Sequence, residues 1–188
     1  MRVRVPLEAA TRLINHGPTT LLTSAARGRV NLMAAAWVMP LGADPPRLGA
    51  VIARGSFTRE LVEESGELVV NVPTVAMAEV TYRAGRGDGR DIDKVLETGV
   101  ALAPASHVRA PLIEGCIAWL ECRMRDERAV REAYDLVIAD VVAAWADDRV
   151  FVGKEWRFEC HPELRTLHHI SKGVFLAAGE RIVARPPA

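Results

Sequence analysis

Net charge is the first thing this sequence lacks. Its 24 Lys and Arg offset 24 Asp and Glu over 188 residues, so the formal charge at pH 7 is zero. A balanced chain offers no electrostatic footprint for nucleic acid or an anionic membrane surface. The basic residues are 21 Arg and only 3 Lys, a lopsidedness that genome composition explains more simply than a phosphate-binding surface. Long apolar runs are missing too, and the opening MRVRVPLEAATRLINHG lacks the apolar core of a signal peptide. The expectation is a cytoplasmic protein with no membrane span, a single domain over residues 1–188, and enough length for a real core.

Cysteine is scarce. Cys116 and Cys122 share a face of one expected strand but lie about 20 Å apart at roughly 3.3 Å per residue, beyond disulfide reach. Cys160 makes the count odd, which indicates reduced thiols. With no Cys-x-x-Cys and no His-x-x-x-His, neither structural zinc nor metal catalysis has a ligand set. His168 and His169 are adjacent, so on a strand they face opposite sides and cannot chelate one ion. No Gly-x-Ser-x-Gly elbow surrounds any serine, which argues against a hydrolase. The run Gly85-Arg86-Gly87-Asp88-Gly89 lacks the strand and the Lys-Ser or Lys-Thr of a phosphate loop. Asp88, Asp91 and Asp93 have calcium-like spacing without the rest of an EF-hand. Residues 84–91 are therefore expected to form a mobile surface loop.

What is present is a succession of short strands. A helix over Leu7–His16 stops at Gly17-Pro18, and strands at Thr19–Ala26 and Asn31–Met39 make a hairpin about Arg27-Gly28-Arg29. A loop is expected over Pro40–Pro46 and a buried strand over Leu48–Ala53. The helix that follows has Thr58 as a candidate N-cap, Phe57 and Val62 at staple positions, and Gly66 at its end. Strands at Leu68–Val72, Gly115–Arg125, Leu136–Trp145 and Arg149–Val152 follow, with short helices at Val75–Tyr82 and Asp91–Glu97. The tail from Leu167 to Ala184 suggests one or two strands around Gly173 and Gly179. Six or more strands without strict βαβ alternation favour a mainly β barrel with short flanking helices.

One stretch carries chemistry. At Arg54-Gly55-Ser56-Phe57-Thr58 a helix start gathers a guanidinium, two hydroxyls and orphan N–H groups, which suits a phosphate. The plain alternative is that Ser56 and Thr58 are caps and Arg54 is solvated. Ala34-Ala35-Ala36 is odd in a strand, since alanine fills a sheet face poorly, but it lets a flat ring lie against the backbone. Trp37 then serves equally as core, interface or cofactor wall. Asn31 either closes the hairpin or faces the same site. Lys94 follows two aspartates, so an ion pair is its default and a phosphate contact the lesser alternative.

The motifs Asn31-Leu32-Met33-Ala34-Ala35-Ala36-Trp37, Asp44-Pro45-Pro46, Ser56-Phe57-Thr58-Arg59-Glu60-Leu61, Val69-Val70-Asn71-Val72-Pro73, Gly89-Arg90-Asp91-Ile92-Asp93-Lys94 and Ala110-Pro111-Leu112-Ile113-Glu114 occur in that order. Their order and spacing resemble the flavin reductase-like family, the flavoredoxin-type group. That resemblance implies a Greek-key split β-barrel of the FMN-binding type, a homodimer, and FMN near the subunit interface, with FAD as the alternative. It implies that Asn31, Ala34, Ala35, Ala36, Trp37, Arg54, Ser56, Thr58 and Lys94 bind the flavin. The activity implied is hydride transfer from NADH or NADPH to flavin, with a monooxygenase as the expected partner. The alternative is a non-enzymatic electron carrier to another redox protein. The charged segment 126–133 has no place in the family pattern.

Overall fold

The computed structural model describes residues 1–184. In chain order it contains β1 (Arg2–Val5), α1 (Leu7–Ala10), β2 (Thr20–Ala26), β3 (Arg29–Ala35), β4 (Val38–Ala43), β5 (Pro46–Val51), α2 (Phe57–Ser65) and β6 (Glu67–Val72). Then come α3 (Ala78–Ala84), α4 (Lys94–Thr98), β7 (Leu102–Ala103), β8 (Leu112–Ile113), β9 (Ala118–Met124), α5 (Arg128–Tyr134) and β10 (Leu136–Asp147). The chain closes with two small hairpins, β11 (Phe151–Val152) with β12 (Glu155–Trp156), and β13 (Leu167–Ser171) with β14 (Val174–Ala177). Among the described residues no helix is long and apolar enough to cross a membrane.

The main sheet is antiparallel, in the order β3-β2-β6-β9-β10-β5-β4. The long β10 pairs with β5 through its first residues and with β1 through its last. The two edges of this order, β3 and β4, are consecutive in sequence, with only Ala36 and Trp37 between them. Three Cα–Cα steps span at most about 11 Å, whereas a flat seven-strand sheet would part its edges by about 29 Å. The sheet must therefore roll, and it forms a barrel split between β3 and β4.

Side-chain alternation then sorts the chain into two cores. Leu22, Val70, Leu120 and Ala144 stand in register across four strands, and all are fully buried inside the roll. Burying each large one is worth roughly 1.5–3 kcal/mol. One position along, Leu21, Asn71, Trp119 and Trp145 face outward, where Leu112 and Ile113 cover them. Asn71 is wholly buried; it donates to the Leu21 carbonyl at 2.9 Å and accepts from the Ile113 N–H at 2.8 Å. That pair of bonds ties β8 to the sheet.

Some sequence expectations change. The strand expected over Asn31–Met39 breaks after Ala35, and the loop expected over Pro40–Pro46 is mostly β4. Pro40 is tolerated because β4 is an edge strand with an irregularity beside it, so its missing N–H leaves no ladder partner orphaned. Ser56, not Thr58, caps α2, its Oγ accepting from the Arg59 N–H at 3.2 Å. With the cap at Ser56, Phe57 is the first helical residue, and the staple with Val62 falls away. The charged segment 126–133 contributes most of α5, held by the Arg128–Glu132 pair along its own turn. The tail forms its hairpin about Lys172-Gly173, with no strand around Gly179.

Candidate functional site

The split leaves the free edge of β3 facing a cavity of about 720 Å³. An edge strand presents backbone N–H and C=O groups that no neighbouring strand uses. The small side chains of Ala34, Ala35 and Ala36 keep that edge accessible, and Trp37 stands at the mouth, 74% exposed. Opposite lie Thr81, Tyr82 and Gly85 of α3 and its C-terminus; the β13–β14 hairpin supplies His169, Lys172 and Phe175. His169 and Phe175 meet edge to face at 5.5 Å. A methyl on Gly173, in the hairpin turn, would sit in contact with the Tyr82 ring. The Thr81 hydroxyl is buried with no hydrogen-bond partner and borders this cavity. A buried hydroxyl left unsatisfied is costly, and a ligand with a polar edge would relieve it.

A second pocket of about 150 Å³ continues from the first, since Met33, Ala34 and Gly85 line both. It ends on the N-terminus of α2. Gly55 reaches a φ of +81°, which turns the chain into Ser56 and the helix. A side chain there would meet no other atom of the chain, so what requires Gly55 here is its φ. The first-turn N–H groups of Phe57 and Thr58 have no intrahelical acceptor and carry the positive end of the helix dipole. Asn31 donates from Nδ2 to the Thr58 Oγ1 at 2.8 Å, which leaves the threonine proton free to point into the pocket.

Lys94 supplies the charge. It is 7% exposed, its Nζ donates to the Ala84 carbonyl at 3.0 Å, and it forms no ion pair among the described residues. Burial pulls its pKa below the usual lysine range, against the opposing pull of Asp88. The ion pair expected from its aspartate neighbours does not form, because Asp93 turns away to cap α4 through the Val95 and Leu96 N–H groups. A buried ammonium beside a helix N-terminus favours an anion between them.

The glycine loop closes this end and is not a detached surface loop. Arg29 donates to the Gly89 carbonyl at 2.8 Å while its guanidinium lies 4.3 Å from the Phe57 ring centroid. Arg90 reaches across to the Gly55 carbonyl at 2.8 Å and to Glu60 at 3.0 Å. Any side chain on Gly89 would overlap the Asn31 carboxamide and the Phe57 ring.

Eight of the residues expected from sequence line the two cavities: Asn31, Ala34, Ala35, Ala36, Trp37, Ser56, Thr58 and Lys94. Arg54 does not. Its guanidinium donates to the Glu132 carbonyl on α5 at 2.6 Å, since the positive-φ turn at Gly55 sends the two sides of the junction in different directions. Sequence reasoning missed Thr81, Tyr82 and Gly85, the glycine loop, and the hairpin residues His169, Lys172 and Phe175. The only signals for them were the density of glycine at 85–89 and the rarity of lysine. His168 and His169 do point to opposite sides of β13, and only His169 lines the large cavity. The arrangement is a flat, mostly apolar slot with a polar backbone edge, running into a small cationic end.

Comparisons with known proteins agree with this geometry. The pattern of the flavin reductase like domain matches residues 13–155. The uncharacterized protein YddH of Escherichia coli (strain K12) is 40% identical over 185 residues, 97% of each chain. The FMN-binding domain of a flavin reductases-like enzyme from Shewanella baltica OS155 is 41% identical, with a TM-score of 0.96 over 98% of each chain. Flavoredoxin of Desulfovibrio vulgaris (Miyazaki F) shares the fold, at 20% identity and a TM-score of 0.78 over 89% of this chain and 90% of its own.

Proposed function

The chain belongs to the flavin reductase-like domain family, and from that premise we propose that it binds FMN and passes electrons to it from NADH or NADPH. One observation carries the reading: the slot along Ala34–Trp37 and the cationic pocket at Lys94 are continuous through Met33, Ala34 and Gly85. That is the outline of a planar ring joined by a short chain to one phosphate. The orphaned Thr81 hydroxyl fits the polar side of such a ring, and Lys94, buried and without an ion pair among the described residues, fits its phosphate.

Bound FMN would supply the acceptor for a nicotinamide hydride. The protein's task is then to hold and orient. Lys94, the Thr58 hydroxyl and the first N–H groups of α2 would hold the phosphate. The free edge of β3 would pair with the ring's polar atoms, and Tyr82 and Phe175 would narrow the slot and exclude water. Arg86, whose guanidinium donates to the Tyr82 hydroxyl at 2.9 Å, and Lys172 stand at the same cavity and would meet the phosphates of a dinucleotide. No general acid or base is required of the side chains.

A homodimer completes the reading. Trp37, at the cavity mouth, and Met39 and Leu41, which follow on β4, are 74%, 47% and 45% exposed. A second copy of the chain would cover them and wall the open side of the slot.

Absorption of the purified protein with added FMN, followed by anaerobic mixing with NADH or NADPH, tests this. Tight FMN binding and rapid bleaching of the flavin band by one nucleotide are expected. A protein that ignores FMN sinks the proposal. One that binds FMN but is bleached by neither nucleotide is instead an electron carrier. Sedimentation of the wild type against Trp37→Ala tests the dimer.

A further inference from the structure

A cavity of about 680 Å³ lies on the other side of β13 from the proposed flavin slot; His168 lines it, whereas His169 lines the slot. Its wall is aromatic. Trp156 and Phe158 stack with centroids 5.3 Å apart and 13° between their planes, and Phe151 braces Trp156 edge-on at 5.0 Å. The cavity also gathers unmet hydrogen-bonding capacity. Six buried side-chain polar atoms among the described residues lack a partner, and three belong to residues lining this cavity: His16 Nδ1, Trp156 Nε1 and Arg165 Nε. Such groups are rare in native proteins, and three around one cavity point to a ligand that satisfies them.

The charges narrow the ligand. Arg165 is half-buried and forms no ion pair among the described residues. Arg181, the other guanidinium present, is already paired with Glu155 at 3.0 Å. Glu159 and Glu180 are exposed and lie outside ion-pair distance of Arg165. One uncompensated guanidinium asks for one negative charge, and the two exposed carboxylates repel a doubly charged phosphate more strongly than a singly charged carboxylate. Thr166 Oγ1 holds the His16 ring through Nε2 at 2.9 Å, so Nδ1 keeps a fixed position.

We propose that this cavity is a second binding site, for a small planar aromatic carboxylate. The ring lies against Trp156 and Phe158, and the carboxylate faces Arg165, with the indole N–H and the His16 ring within the same lining. Arg165 is suited to this because its planar fork matches a carboxylate.

Calorimetric titration of the full-length protein with indole-3-carboxylate, with and without saturating FMN, tests the site. Saturable one-to-one binding, equal in both conditions, is expected. Indole-3-carboxamide should bind at least tenfold more weakly, as should indole-3-carboxylate to Arg165→Gln or Trp156→Leu. Arg165→Gln should keep the wild-type melting temperature, whereas Trp156→Leu should lower it, because Trp156 packs on Phe151 and Phe158. The acid-against-amide comparison needs only wild-type protein, so it stands even if a variant misfolds. No saturable binding, equal affinity for acid and amide, or displacement by FMN would overturn the proposal, the last by placing the acid in the first cavity.

Discussion

Asn31 on β3 and Thr58 on α2 meet through a 2.8 Å hydrogen bond, although they stand 27 positions apart and neither belongs to the other's element. The bond joins the free sheet edge to the helix N-terminus, linking the two halves of the proposed flavin site. Both residues are almost completely buried, and Gly89 packs directly on the carboxamide.

Asn31→Ala is expected to weaken FMN binding by about 1–3 kcal/mol, the cost of a buried hydrogen bond removed with one partner left behind. Gly89→Ala should weaken it too, because the new methyl collides with Asn31 and Phe57 and lifts the glycine loop. Flavin fluorescence titration measures both. Wild-type affinity in the two variants would confine this contact to stability.

Lys94 and Arg54 should behave in opposite ways. Lys94→Gln removes the buried cation and is expected to cost about 1.5–3 kcal/mol of FMN affinity, the range for a charged hydrogen bond. Arg54→Ala only frees the Glu132 carbonyl on α5, so its effect should stay within about 0.5 kcal/mol. A larger loss from Arg54→Ala than from Lys94→Gln would reverse the assignment.

His16 should make stability depend on pH. Burial pushes its pKa down to about 4 from the ordinary 6.5, and the neighbouring His168 adds to the push. The folded state therefore keeps the ring neutral while the unfolded chain takes up a proton below pH 6.5. Stability should fall as pH drops from 6.5 to 4 and then level off for this group, by up to about 3 kcal/mol. Urea unfolding across that window measures the slope, and His16→Gln should flatten it. An unchanged slope would assign the pH dependence to other groups.

Thiol chemistry separates the cysteines. Cys116 and Cys122 are buried, and burial raises both pKa values well above the usual thiol range; Cys160 is exposed. One thiol per chain should react rapidly with a disulfide reagent in the native protein, and three in denaturant. Loss of the rapid phase in Cys160→Ser confirms its origin.

Local chemistry was legible where neighbours in sequence act together. The helix from Phe57 to Ser65 announces itself through its cap-type hydroxyls and Gly66, although the cap falls on Ser56 and not Thr58, and the hairpin of β2 and β3 through its turn. β6, β9 and β10 lie where strands are expected. Pro40 misled, since a proline inside a run argues against a strand until the run is known to be an edge. Lys94 misled similarly: two adjacent aspartates promise an ion pair, but Asp93 is spent on capping α4.

The sequence by itself determined the kinds of groups available: small residues at Ala34–Ala36, a helix start gathered at Arg54-Gly55-Ser56-Phe57-Thr58, a scarce lysine at Lys94, and no catalytic dyad. These follow from composition and from contacts within a few residues. Only the tertiary structure decided which of them share a cavity. Rolling the sheet brought its edges together at Ala36-Trp37, folded the glycine loop over Asn31, and carried His169 and Phe175 back from more than 130 positions away in sequence. It also turned Arg54 aside. Such partners are chosen by burial and sheet closure, which act across distant parts of the chain and leave no local pattern.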